Sequence, residues 1–285
     1  MSVRAMRRSR VLARLREGRP VFSFKMNLSD ARAAEIAALC GFECVWVDME
    51  HVPNDWSAIE KIIMAAKMYD VDTIVRVARG GYSDLIRPLE MDAAGVMVPH
   101  VMSLADAASV VRQTKFYPLG MRPVDGGNAD GAYCLIPYAN YIRQANEERF
   151  NILQIEDVEP LDELEDIVAL PGVDMIFFGP GDFSQSIGAP GDFSHPKIAE
   201  TRARIAELAA KHGKFAGTVG SVETSAELVR MGYRFINVAA DVIGLGEYCS
   251  RIVGDLRRIH PESGSSGAKG ASGDAGRGGV YGGAV

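Results

Sequence analysis

The sequence predicts a single closed (β/α)8 TIM barrel, and three observations carry that prediction. Eight short apolar or β-branched runs alternate with eight longer stretches of helical periodicity. The chain has 285 residues, and one such barrel takes roughly 250. An open, doubly wound sheet would expect a G-x-G-x-x-G loop after its first strand, and none follows there.

The elements follow in order. A helix carrying Val11, Leu12 and Leu15 precedes the barrel. The N-terminus is arginine-rich (Arg4, Arg7, Arg8, Arg10, Arg14, Arg16) but lacks the apolar stretch of a secretory signal. Predicted strands run over 21–26, 43–49, 73–78, 95–101, 151–156, 174–179, 214–219 and 234–240. Predicted helices follow them over 29–40, 56–69, 83–94, 104–115, 161–170, 196–212, 222–231 and 246–259. Ser29 before Asp30, and Ser221 with Thr224, are helix-start signals. Gly41, Gly95, Gly172, Gly213 and Gly232 lie just after helices, where a positive φ is often required. The barrel domain is expected over 1–261. Beyond it, glycine recurs at every third position from Gly264 to Gly282, the spacing of collagen but without proline. Almost no apolar side chain offsets chain entropy there, so 262–285 is expected to be a disordered tail.

Composition narrows the function classes. With 31 basic and 37 acidic side chains the net charge is −6, and the pI is near 5.5. A nucleic-acid binder needs a basic face, so no nucleic acid is expected as partner. No apolar run approaches the ~20 residues that span a bilayer, so no membrane partner is expected. Cys40, Cys44, Cys134 and Cys249 form no CxxC pair, and their apolar contexts suit reduced, buried thiols in a cytoplasmic protein.

A (β/α)8 barrel builds its active site at the C-terminal ends of its strands. The second run reads Val45-Trp46-Val47-Asp48-Met49-Glu50-His51, so Asp48 and His51 emerge at the mouth. The third ends in Val75-Arg76-Val77, the fifth in Gln154-Ile155-Glu156, and the sixth runs Phe178-Gly179-Pro180-Gly181-Asp182. Glu156 and Asp182 fall on adjacent strands and form a hard oxygen site for an octahedral divalent ion. Without a cation, two carboxylates so close would raise one another's pKa. Each residue also has a plainer role: Asp48 as a loop cap, His51 as a surface histidine, Arg76 as an ion-pair partner, Glu156 in an acidic loop, Asp182 in a turn. What favours chemistry is their coincidence at neighbouring strand ends. His100 is expected to be a packed core histidine, and His195 before Pro196 a helix-start residue.

These motifs, with Gly41-Phe42 and Gly95-Val96-Met97-Val98-Pro99, resemble the HpcH/HpaI aldolase family of metal-dependent pyruvate aldolases, over about residues 10–259. The resemblance implies that Glu156 and Asp182 bind Mg2+, Mn2+ or Co2+, with Gln154 nearby. It implies that His51, oriented by Asp48, is the acid/base group and that Arg76 contacts the oxo-acid end of the substrate. It also implies a homo-oligomer, commonly a hexamer, with a helix over 245–259 exchanged between subunits. The stretch 118–140 departs from the commoner pattern and is expected to lie over the mouth.

The expected reaction cleaves a 4-hydroxy-2-oxo acid to pyruvate and an aldehyde through a metal-stabilised pyruvate enolate. His51 removes the 4-hydroxyl proton, Arg76 stabilises the oxyanion, and backbone N–H groups at Gly181 and Asp182 bind the substrate carboxylate. Other readings remain: an oxaloacetate decarboxylase or enolate-coupling enzyme of the same superfamily, a Schiff-base aldolase using Lys25, and a non-catalytic barrel that binds an oxo acid.

Overall fold

Strand side chains alternate between two environments, the barrel interior and the layer of helices, and that alternation organises the molecule. The computed structural model describes residues 4–261. Its strands are β1 (Val21–Met26), β2 (Cys44–Asp48), β3 (Asp72–Arg76), β4 (Gly95–Val98), β5 (Phe150–Ile155), β6 (Met175–Phe178), β7 (Phe215–Val219) and β8 (Tyr233–Ala240). All pair in parallel and in chain order, and β8 returns to β1 to close the barrel. Inward residues form one cluster, in which Trp46 meets Phe177 edge-on at 5.4 Å between ring centroids. Outward residues such as Val45, Val75, Leu153 and Ile176 pack with helix residues such as Ile59 and Ile205.

The helices are α1 (Arg10–Arg16), α2 (Ala31–Leu39), α3 (Trp56–Met68), α4 (Tyr82–Glu90), α5 (Leu104–Thr114), α6 (Tyr138–Glu148), α7 (Leu164–Ala169), α8 (Pro180–Ser186), α9 (Pro196–Lys211), α10 (Val222–Met231) and α11 (Asp241–Ile259). Their starts are chemically marked. Ser9, Asp30, Asp55, Ser103 and Ser221 each accept a first-turn N–H through the side chain. His195 does so through its ring nitrogen, accepting from the Lys197 N–H at 3.1 Å.

The N-terminal segment closes the bottom of the barrel. Val11, Leu12 and Leu15 join the interior cluster, and the buried Asp72 at the start of β3 ties the segment down. Its carboxylate accepts from Ser9 Oγ (2.7 Å), the Val11 N–H (2.9 Å) and Arg7 Nη2 (2.7 Å).

Several expectations change. The stretch 118–140 lies at the opposite rim from the mouth. The Asp130 N–H donates to the Glu90 carbonyl at the end of α4, and Ile136 packs with Phe116 and Met6. Buried Arg122, Asp130 and Tyr141 lock it there, with Arg122 Nη2 donating to Asp130 at 2.9 Å and Tyr141 Oη at 2.8 Å. The expected turn at Gly181-Asp182 is the first turn of α8, and the last helix begins at Asp241. Gly41, Gly172, Gly213 and Gly232 have positive φ, but Gly95 does not. Gly95 is needed for space, because a Cβ there would sit 2.6 Å from the Phe150 ring. All four cysteines are free, but only Cys44 is buried, since helix and loop positions expose the other three. The expected tail over 262–285 lies outside the described residues. No helix among those described is long and apolar enough to cross a membrane.

Asp72→Ala should strand three buried or half-buried donors and lower stability by about 3 kcal/mol. Urea unfolding measures this, and a change below about 0.5 kcal/mol would contradict the role given to Asp72.

Candidate active site

The inward register that fills the barrel turns polar at its top. Lys25 on β1, Asp48 on β2, Arg76 on β3 and Gln154 on β5 all sit at C-terminal ends. Glu156 directly follows β5, and Gly179 follows β6 and opens α8, which carries Gly181 and Asp182. All of these except Asp48 line one cavity of about 180 Å3, together with His51, Trp46, Phe177, Pro180 and Val219. Asp48 lies behind the wall, fully buried.

Asp48 and Arg76 are register partners on β2 and β3, and their side chains form a two-pronged ion pair. Arg76 Nε donates to Asp48 Oδ1 at 3.0 Å, and Arg76 Nη2 donates to Oδ2. Lys25 Nζ reaches the same Oδ2 at 2.8 Å. Burial alone would push the Asp48 carboxyl up, but the hydrogen bonds and charge of Arg76, joined by Lys25, hold it well below the usual carboxylate range. Asp48 also accepts the Glu50 N–H at 3.0 Å, so the loop-cap role is real as well. The expected Asp48–His51 contact is not formed among the described residues, because Asp48's oxygens are taken. His51 instead stands at the edge of the cavity, its Nε2 3.5 Å from Glu50 Oε2.

Glu156 is in the opposite condition. It is buried, with Oε1 accepting the His100 N–H at 2.9 Å and Oε2 accepting from Gln154 Nε2. Burial, then the like charges of Glu50 and Asp182, push its carboxyl up to about 7 against the pull of His100. Gly179 makes this packing possible, since a Cβ there would lie 2.6 Å from Glu156 Oε2.

Two residues of the site escaped the sequence reading. Glu50 forms an ion pair with Arg76, its Oε2 lying 3.0 Å from Arg76 Nη1, and so joins the cation pair to the acidic side. His100, expected in the core, is partly exposed with a positive φ of 49°. Its ring contacts Asp157 at 2.8 Å and Glu50 at 3.4 Å. Burial disfavours its charge, but Asp157, Glu156 and Glu50 together raise its pKa. The signal lay in the acids that follow strand five, which want a cationic neighbour.

These donors suit a hard cation. Oxygen or nitrogen atoms of Glu50, His100 and Glu156 lie within 4.8 Å of one another, a set that differs from the expected pair by leaving out Asp182, which lines the cavity with Glu156. Gln154 Oε1 is buried with no hydrogen-bond partner among the described residues, an acceptor that a hydrated ion or its substrate would satisfy.

The sequence pattern described as HpcH/HpaI aldolase/citrate lyase matches residues 23–245, from within β1 to the first turn of α11. The chain belongs to the HpcH/HpaI aldolase/citrate lyase family. It is 35% identical over 237 residues to a hydroxypyruvate/pyruvate aldolase of Paraburkholderia phytofirmans, covering 81% of this chain and 91% of that one. Among solved structures it is similar to an HpcH/HpaI aldolase from Desulfitobacterium hafniense, with a TM-score of 0.81, 28% identity and coverage of 86% and 96%. It is also similar to the citrate synthase SbnG, with a TM-score of 0.80, 27% identity and coverage of 88% and 98%. In this HpcH/HpaI chain every residue that lines the cavity lies within the matched span.

The Glu156 carboxyl has a reference value of 4.5 and titrates near 7 in the folded chain. The metal-free fold is therefore favoured at low pH and loses that advantage as pH rises through 7. Glu156→Gln should change the stability of metal-free protein little at pH 5 and raise it by roughly 3 kcal/mol at pH 8. Thermal and urea unfolding at the two pH values test this, and destabilisation at pH 8 would contradict it.

Proposed function

We propose that the chain is a divalent-metal-dependent aldolase, a carbon–carbon lyase that cleaves a 4-hydroxy-2-oxo acid to pyruvate and an aldehyde. The observation that carries this reading is a cavity with divided charge. Glu156 and Asp182 stand on the β5–β6 side, and the Arg76 guanidinium held by Asp48 stands on the β3 side. The name of the Paraburkholderia relative points the same way.

Glu156 and Asp182 would hold Mg2+, Mn2+ or Co2+, with Gln154 beside them. When bound, such an ion supplies a Lewis acid for a 2-oxo group. Backbone N–H groups of Gly181 and Asp182, in the first turn of α8, are the donors for the substrate carboxylate. His51 takes the 4-hydroxyl proton as the C3–C4 bond breaks, and the bonding pair stays with the three-carbon half. Arg76 faces the oxygen on which negative charge develops, and its rigid anchoring keeps the cost of reorganisation low. Proton delivery to C3 gives pyruvate. Asp48 acts through Arg76, as a positioning residue. The Schiff-base route finds no support, because Lys25 Nζ is committed to Asp48.

Two broader expectations belong to the same proposal. On α11 the residues Leu245, Tyr248, Val253, Leu256 and Ile259 are exposed, and only Asp241 of that helix is buried. Such a face suits packing against other copies, and the family resemblance makes a hexamer the assembly to look for. Four free thiols, three of them exposed, suit the cytoplasm.

His51→Ala should lower the cleavage rate about 10²-fold or more with metal content intact. Glu156→Ala should lose metal and activity together. Steady-state kinetics with elemental analysis decides: full turnover in the first variant, or normal metal content in the second, would sink the assignments. Light scattering should show an oligomer that Leu245→Glu with Leu256→Glu dissociates, and a monomeric wild type would contradict the role of α11.

A further inference from the structure

Resting on the metal-dependent reading, we infer that Arg79 positions the cation-binding carboxylate of Glu156 by acting through the Pro99–His100 peptide group. The His100 N–H donates to Glu156 Oε1 at 2.9 Å. At the other end of that peptide group, the Pro99 carbonyl accepts from Arg79 Nη1 at 3.2 Å. A trans peptide group is planar, and its C=O and N–H point in opposite directions. The guanidinium that holds one end therefore aims the other. Its charge also polarises the group, which makes the N–H a stronger donor toward a carboxylate.

The surroundings keep this arrangement in place. Arg79 lies between β3 and α4, three residues beyond Arg76, and its Nη1 also donates to the His100 carbonyl. His100 has a φ of 49°, and this left-handed backbone lets its N–H face Glu156 while its carbonyl turns back to Arg79. Such a conformation is uncommon outside glycine and persists where its surroundings enforce it. Asp106, in the first turn of α5, accepts from Arg79 Nη1 at 2.8 Å and from Nη2 at 2.9 Å. The Val101 N–H donates to the Gln154 carbonyl at 3.3 Å, which stitches the same turn to β5 two residues before Glu156.

The Arg79 side chain is 41% exposed, and an exposed Arg–Asp pair by itself adds little to stability. Its grip on two backbone carbonyls gives it a different task. Glu156 is oriented at both oxygens, by the His100 N–H at Oε1 and by Gln154 Nε2 at Oε2. Groups that orient a metal ligand from behind typically change metal affinity about 10- to 100-fold when removed. The two arginines at the end of β3 thus divide the work. Arg76 forms the cationic wall, and Arg79 sets the acidic one.

Calorimetric titration of metal-free protein with Mn2+, beside thermal unfolding of the same samples, tests this. Arg79→Met keeps the apolar stem and removes the donors, and it should raise the Mn2+ Kd about tenfold or more. Arg79→Lys should recover most of the affinity, because contacts to Pro99, His100 and Asp106 gather at Nη1 and an ammonium carries three donors. Asp106→Asn loosens the guanidinium and should weaken Mn2+ binding by a smaller factor, so it decides the matter if Arg79→Met does not fold. Wild-type Mn2+ affinity in Arg79→Met, or in Asp106→Asn where that variant decides, would leave Arg79 a structural strap whatever the unfolding temperature, and the inference would fall alone. If wild type binds none of Mg2+, Mn2+ and Co2+, the metal-dependent reading falls and takes this inference with it.

Discussion

The Asp48 carboxylate, sealed at the end of β2 and gripped by Arg76 and Lys25, fixes the top of the barrel. It joins three adjacent strands through charge-assisted hydrogen bonds in a place that excludes water, where such contacts are strong and an unpaired partner is costly. Across the cavity, Glu156 is buried with too little positive charge near it. One acid is pushed below its usual range and the other is raised to about 7. Environments that drive two carboxylates apart in this way mark the division of labour in an active site. Here Asp48 holds a cationic side chain, and Glu156 is left wanting a cation.

The rest of the fold serves that separation. Period-two alternation carries mostly apolar side chains up the inside of the barrel, the buried Ser23–Asn237 hydrogen bond apart, and delivers the polar groups of the cavity at or beyond the last inward position of a strand. Aromatic packing of Trp46, Phe177 and Phe235 fills the middle, so the cavity has a floor. Gly179 removes the one Cβ that would collide with Glu156, and α8 starts immediately afterwards, bringing Asp182 to the same wall.

Much of this was legible in the sequence because it depends on local pattern. The eight strands, their alternation and the emergence of Asp48, Arg76, Glu156 and Asp182 at strand ends all follow from period and order along the chain. What escaped depends on contacts between distant residues. Asp48 was matched with His51, three residues away, whereas two cations from neighbouring strands claim it. His100 looked apolar by its neighbours, yet a left-handed backbone turns it toward Asp157 and Glu50. The stretch 118–140 carried no strong period, and its positive-φ turn at Ala132, Tyr133 and Cys134 uses residues that do not announce it. Its rim is shown by contacts outside the stretch, from Asp130 to the Glu90 carbonyl and from Ile136 to Phe116 and Met6.

The central claim is that the acidic wall of this cavity, loaded with a divalent cation, makes pyruvate easy to enolise. Proton NMR of pyruvate in D2O, with metal-loaded and metal-stripped protein side by side, tests it without knowledge of the natural aldehyde. The account predicts loss of the methyl signal with loaded protein and none with stripped protein. Exchange that ignores the metal, or no exchange with loaded protein, would contradict it.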